Sequence, residues 1–283
     1  LPARNPKECG LPYLSKEPLD GLKPATRAVP GTYCWGEDLY KKGVRPFSEV
    51  AEGRMTVKEF LAQMTDEEVA HLLGGQPNTG VANTFGWGNM PEYGIPNCMT
   101  ADGPAGLRIA PECGVTTTAW PCATLLAATW NPNVVYQVGA AGGKEVKENN
   151  IAAWLTPALN IHRSPLCGRN FEYYSEDPLL AGVLAGAMVK GIQSQGVAAT
   201  VKHFALNNKE TDRKHSDSRV SERAAREIYL KAFEYVIKGA KPWAVMSSYN
   251  IINGCYASEN KELLEDILRD EWGFDGMVTT DWW

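Results

Sequence analysis

Asp281 ends the run Gly276-Met-Val-Thr-Thr-Asp-Trp282, in which apolar and β-branched residues lead straight into a carboxylate and an indole. That is the pattern of a buried strand delivering an acid to the mouth of a barrel, beside an aromatic platform. Taken alone, it is equally a strand followed by a turn aspartate. Other strand-like runs end in the same way. One ends at Asp102, in Thr100-Ala-Asp-Gly-Pro-Ala-Gly-Leu-Arg108, and another at Lys202-His203, after Val197-Ala-Ala-Thr-Val201. A third ends at Tyr249-Asn250. The stretch Cys167-Gly-Arg-Asn-Phe-Glu-Tyr-Tyr-Ser-Glu-Asp-Pro178 crowds charge and aromatic rings into one loop.

Each of these residues also has a plainer reading. Asp102 before Gly103-Pro104 suits a turn for its own hydrogen-bonding reasons. Arg169 suits a loop ion pair, and Glu172 suits a carboxylate paired with a nearby cation. Glu176 and Asp177 before Pro178 read as a helix N-terminus. Tyr249 could be a core aromatic, and His71 and His162 read as structural. Lys202 and His203 are harder to dismiss, because both are poor strand residues placed straight after an apolar run. If they follow that strand in regular register, their side chains diverge to opposite faces, so a bend or bulge is expected there. Carboxylates, Lys, His and Arg flanked by aromatics suit a hydroxyl-rich ligand, since each hydroxyl needs a donor and an acceptor and ionised partners bond more strongly. Lys202 is also open to a Schiff-base role.

Positioning such groups requires strands that end on one face. Strand-like runs lie near 96–101, 151–155, 197–204, 243–249 and 276–280, and helical runs near 131–149, 178–194, 219–238 and 260–271. Strand–helix alternation of this kind implies a parallel sheet, barrel or doubly wound. There is no Gly-rich phosphate loop, which disfavours the dinucleotide-binding version. In the 219–238 helix the apolar face is expected at Ala225, Ile228, Tyr229, Ala232, Phe233 and Val236. Upstream, residues 56–73 read as two short helices, with Thr65 and Glu68 as a capping box. Residues 76–95 read as a loop, and residues 1–50 as an extended lead-in to a barrel domain over 51–283.

At 283 residues the chain is long enough for one large α/β domain. A net charge of −5 without a basic cluster argues against nucleic-acid and membrane-surface partners. No apolar run approaches the ~20 residues of a membrane span. Seven dispersed cysteines, without CxxC or Cys/His spacing, point to no metal site and to reduced, mostly buried thiols. Those thiols favour a cytoplasmic location and leave secretion open.

Taken together, these segments resemble the barrel domain of glycoside hydrolase family three, in its β-glucosidase branch. The matching segments are Asp102–Arg108, Gly168–Pro178, Lys202-His-Phe204, Ser221-Glu-Arg-Ala-Ala-Arg-Glu-Ile228, Met246-Ser-Ser-Tyr-Asn250 and Thr280-Asp-Trp282, in the family's order. The resemblance implies an α/β fold, a (β/α)8 TIM-barrel-like domain. It implies retaining hydrolysis of terminal β-D-glucosyl residues, with Asp281 as nucleophile and no metal or organic cofactor. Asp102, Arg108, Arg169, Lys202, His203, Tyr249 and Trp282 would hold the sugar of a β-glucoside or oligosaccharide. A β-xylosidase, another exo-glycosidase or a non-catalytic sugar binder remain alternatives. The loop 209–219 lacks the Asp-Ser-His order of the family's barrel-borne acid/base. The acid is therefore expected from an α/β sandwich domain, in the same or a separate chain, with the barrel incomplete at its C-terminal end.

Overall fold

The computed structural model describes residues 39–76, 82–109 and 113–282. Most of the expected lead-in, and Cys9 and Cys34 with it, lie outside the described residues. The chain divides into two units. One comprises Leu1–Ala101, Arg108–Thr116 and Glu148–Ala152; the other comprises Asp102–Leu107, Thr117–Lys147 and Ala153–Trp283.

The first unit opens with the two short helices expected, Val57–Leu61 and Asp66–Leu72. Each starts on a reciprocal capping box, Thr56 with Glu59 and Thr65 with Glu68, which satisfies N–H groups that a short helix leaves orphaned. Their apolar faces close over Met55, Phe60, Met90 and Tyr93. Part of the stretch expected to be a loop is a hairpin. Strand β1 (Trp87–Met90) pairs antiparallel with β2 (Ile95–Cys98), and β3 (Thr100–Ala101) follows. Gly, Asn and Pro in the strands and turn masked the alternation that would have announced them.

The strands of the second unit are β4 (Ala153–Trp154), β5 (Ala198–Phe204), β6 (Asp217–Ser218), β7 (Ala244–Ser247), β8 (Ile251–Ile252), β9 (Cys255–Tyr256) and β10 (Met277–Thr280). Four of them form a parallel sheet in the order β10–β7–β5–β4. Helix Pro178–Gln193 lies between β4 and β5, Glu222–Ala240 between β5 and β7, and Glu262–Glu271 between β7 and β10. This is the strand–helix repeat of a TIM-barrel-like fold, present here as part of a barrel. A small sheet has the order β6–β8–β9, and Ser218 of β6 ties it to the chain just after β5 by donating from Oγ to the Leu206 carbonyl at 3.1 Å.

Six of the seven β5 residues are buried, as in a parallel strand covered on both faces, and Thr200, Lys202 and His203 are among them. Phe204 packs edge-on to Phe233, with centroids 5.1 Å apart. Helix Pro178–Gln193 begins where Asp177 accepts the Leu179 N–H at 2.9 Å, with Pro178 at its first position. It lies against helix Pro132–Glu148 so closely that a Cβ on Gly191 would sit 2.3 Å from the Tyr136 carbonyl oxygen.

Three expectations need correction. Ile228 is 42% exposed, and Leu230 and Ile237 are buried instead. The helix widens over Ala225–Tyr229 into a π turn, with the Leu230 N–H bonded to the Ala225 carbonyl, and the extra residue slips the 3.6-residue register. β10 is not a buried strand: among the described residues it pairs only with β7, and Met277 is exposed. Of the five described cysteines only Cys167 is buried; the others are half-buried free thiols.

Candidate active site

The site is built where β5 breaks register. Val201 faces Val245 and Phe204 faces Ser247, so three steps on β5 match two on β7. Lys202 and His203 occupy the resulting bulge, as expected for two adjacent side chains that must serve one site. The Lys202–His203 and Phe204–Ala205 peptide bonds are cis. Asn160 takes over as partner for the displaced backbone. Its Nδ2 donates to the His203 carbonyl and its Oδ1 accepts the His203 N–H, both at 2.9 Å. Beyond the bulge, Ser248 ties the end of β5 to the loop after β7, donating from N to the Phe204 carbonyl at 2.8 Å and from Oγ to that of Ala205 at 2.7 Å.

Lys202 is buried and donates to Asp102 Oδ1 at 2.7 Å. The Asp102 loop is fixed from beneath, since Trp154 Nε1 donates to the Gly103 carbonyl at 3.1 Å. At Gly106 φ is +146°, and a Cβ there would meet the Thr118 carbonyl oxygen at 2.7 Å, so the loop requires glycine. Arg108 falls in the first unit, where its side chain is exposed.

Arg169 sits on a loop braced by His162, whose Nε2 donates to the carbonyls of Asn170 at 2.8 Å and Tyr173 at 3.0 Å. His162 is therefore structural, as expected. Arg169 bonds the buried Glu172, lies 3.9 Å from Glu210, and donates to His203 Nε2 at 2.8 Å. His203 Nδ1 meets the Tyr173 hydroxyl at 3.2 Å. Burial, with the charges of Arg169, Lys202 and Arg213 added, pushes the His203 pKa well below the usual imidazole range. The ring is thus neutral, with Nε2 as acceptor and Nδ1–H as donor. Burial opposes the Arg169 charge, but Tyr173, Glu172, Glu210 and Asp281 outweigh it and raise its pKa.

Asp281 follows β10, and its Oδ2 lies 3.9 Å from His203 Nε2. Its side chain keeps 17% exposure, yet Oδ2 itself is buried and accepts no hydrogen bond among the described residues. Burial raises its pKa from 3.8 to about 6, against the pull of Lys202, Arg169 and Arg213 and with a push from Asp102. Trp282 is half-buried, with φ +52°. Tyr249 is half-buried, with the Arg213 guanidinium 4.6 Å from its ring centroid and Lys214 Nζ at 5.7 Å.

The structure thus gathers Asp102, Arg169, Lys202, His203 and Asp281 into one electrostatically linked set. Sequence reasoning missed Asn160, Tyr173, Asn207, Glu210 and Arg213. Asn207 donates to Tyr173 at 3.2 Å and to Glu210 at 3.1 Å, and Arg213 donates to Glu210 at 3.1 Å. A signal was present, because Glu210 and Arg213 stand three apart in a loop directly after the Lys-His strand. Three further ionisable groups of that loop turn elsewhere. His215 and Asp212 pair with each other in solvent at 2.9 Å, and Asp217 pairs with Arg219 at 2.6 Å.

A beta-glucosidase A from Butyrivibrio fibrisolvens is 66% identical over 84% of this chain and 29% of its own length. An exo-alpha-(1->6)-L-arabinopyranosidase from Bifidobacterium longum is 50% identical over 77% of the chain and 29% of its own length. Among solved structures, beta-glucosidase 3B from Thermotoga neapolitana in complex with glucose superposes with TM-score 0.76 at 49% identity, covering 81% of this chain and 34% of that one. The chain therefore spans about 29% of the length of these curated relatives. Residues 89–283 match the model of the glycosyl hydrolase family 3 N-terminal domain, and the chain belongs to that family.

Proposed function

We propose that this chain carries the nucleophile and sugar cradle of a retaining exo-glycosidase that hydrolyses terminal β-D-glucosyl residues. The observation behind it is the state of Asp281. One of its oxygens is buried without a hydrogen-bond partner among the described residues, 3.9 Å from a neutral histidine and in the field of three cationic side chains. A carboxylate serving only to hold the fold would have its lone pairs satisfied. An oxygen left unbonded but electrostatically supported is what attack on carbon requires.

In the proposed reaction Asp281 attacks the anomeric carbon as the bond to the leaving oxygen breaks, and a general acid protonates that oxygen. Water then cleaves the glycosyl ester, restoring the carboxylate and releasing the sugar. Asp102 and Lys202 are proposed to bind sugar hydroxyls as an acceptor–donor pair, with Arg169, Tyr249 and Trp282 completing the cradle. His203 reaches the sugar only by yielding its Arg169 bond. The general acid is proposed to come from the remaining part of the enzyme. The relatives' length supports this, as does the commitment of Glu210, Asp212 and Asp217 to other partners. No metal or organic cofactor enters this mechanism.

The test is turnover of an aryl β-D-glucoside by the complete protein. Asp281→Ala should lower it on the order of 10³-fold or more, and activity surviving that change would contradict the proposal. The Bifidobacterium longum relative favours a second reading, a pentopyranoside substrate. An aryl α-L-arabinopyranoside with the larger kcat/KM would select it.

A further inference from the structure

We propose that Arg213 is a positioning residue of this site: held by Glu210 and stacked on Tyr249, it fixes that ring and sets a second guanidinium charge beside the Asp281 carboxylate. The inference rests on Asp281 being the nucleophile, and it names a group that the strand-end pattern does not reveal.

Arg213 is held from two directions. Its Nη1 donates to Glu210 Oε2 at 3.1 Å, and its guanidinium carbon lies 4.6 Å from the Tyr249 centroid. Glu210 is in turn fixed by Asn207 at 3.1 Å and approaches Arg169 at 3.9 Å. One carboxylate thus couples two arginines from two different loops. Arg169 occupies one side through its bond to His203, and Arg213 occupies the other through Tyr249. A planar guanidinium can lie flat on the ring while donating to a carboxylate in its own plane, whereas an ammonium has no planar face to stack.

The charged and titratable groups around Asp281 come from several elements. Asp102 comes from the loop after β3, Lys202 and His203 from the β5 bulge, Arg169 and Glu172 from the loop before helix Pro178–Gln193, and Glu210 with Arg213 from the loop after β5. His203 is neutral, so Lys202, Arg169 and Arg213 are the cations opposing the effect of burial on Asp281. Lys202 is neutralised by Asp102, and Arg169 by Glu172. Arg213 shares its carboxylate partner Glu210 with Arg169 and Asn207.

The experiment measures kcat, KM and the pH dependence of kcat/KM for the complete enzyme on 2,4-dinitrophenyl β-D-glucoside, whose leaving group needs no proton. Arg213→Met should move the acidic limb upward by about 0.5–1 pH unit and raise KM about three- to tenfold. Arg213→Lys should restore the limb but not the KM, because it returns charge without a planar fork. Asp281→Gly, with and without azide, runs alongside. An unmoved limb and KM in Arg213→Met, with Asp281→Gly inactive and rescued by azide, would overturn the role of Arg213 and leave the nucleophile standing. Activity in Asp281→Gly without azide would overturn both.

Discussion

A carboxylate that attacks carbon must be ionised and poorly solvated at once, and the proposed role of Asp281 sets those demands against each other. Its pKa is raised from 3.8 to about 6, chiefly by burial. Only the ionised form is nucleophilic, so kcat/KM of the free enzyme should fall about tenfold per pH unit below about pH 6 and level off above it. Burial and the neighbouring cations push the His203 pKa well below the usual imidazole range and favour its neutral form. A pH profile with its acidic midpoint near 4 would contradict this. The same shift affects stability. In the unfolded chain the group ionises near 3.8 and in the folded chain near 6, so the folded state binds the extra proton between them. Stability then falls as pH rises through that window, and Asp281→Asn should gain roughly 1–3 kcal/mol at pH 7 and nothing below pH 4; urea titrations at the two pH values measure this. Lys202→Ala leaves Asp102 without its buried partner and should cost on the order of 10²-fold in kcat/KM on glucosides. The loss should be much smaller on an analogue lacking the contacted hydroxyl, and equal losses on both would refute the hydroxyl-binding role. Asp102, Lys202 and Asp281 were legible in the sequence because each interrupts an apolar run. Tyr173 was not, and Glu210 and Arg213 left only their three-residue spacing as a signal, because the roles of all three depend on how the bulge and two loops are brought together.

At the scale of elements, the alternation of apolar runs and helical periods located the four parallel strands and the helices between them to within a few residues. It failed where the period itself changes. The π turn at Ala225–Tyr229 carried Ile228 out to solvent, and the β1–β2 hairpin hid in a Gly-, Asn- and Pro-containing stretch. The Gly-rich faces of helices Pro132–Glu148 and Pro178–Gln193 gave no sequence signal of their packing, yet they fix how closely the two helices approach. Gly191→Ala should destabilise by about 1–3 kcal/mol, because the backbone of Tyr136 and Ala140 cannot yield as a side-chain end would. Gly239→Ala, in a helix with nothing within 4 Å of the added carbon, should instead stabilise by about 0.5–1 kcal/mol. Thermal melts of the two variants shifting in the same direction would refute the packing argument.

For the molecule as a whole, the chain supplies one side of the proposed glycosidase site: the carboxylate proposed as nucleophile, a buried lysine paired with a half-buried aspartate, and two arginines coupled through one carboxylate. The family's other expected group, the general acid, matches none of the uncommitted side chains of the loop 209–219, which is why the proposed mechanism draws it from the rest of the enzyme. The TIM-barrel-like class was readable from the repeat of strands and helices, whereas the division into two units was not, because no linker-like composition marks it. The claim on which the account turns is that a glycosyl ester forms on Asp281. The complete protein incubated with 2,4-dinitrophenyl 2-deoxy-2-fluoro-β-D-glucoside, digested and mapped by mass spectrometry, tests it most directly. The account predicts one fluoroglucosyl group per chain, carried by Asp281 and absent from Asp281→Asn. A label on any other residue, or none under conditions that abolish turnover, would contradict it.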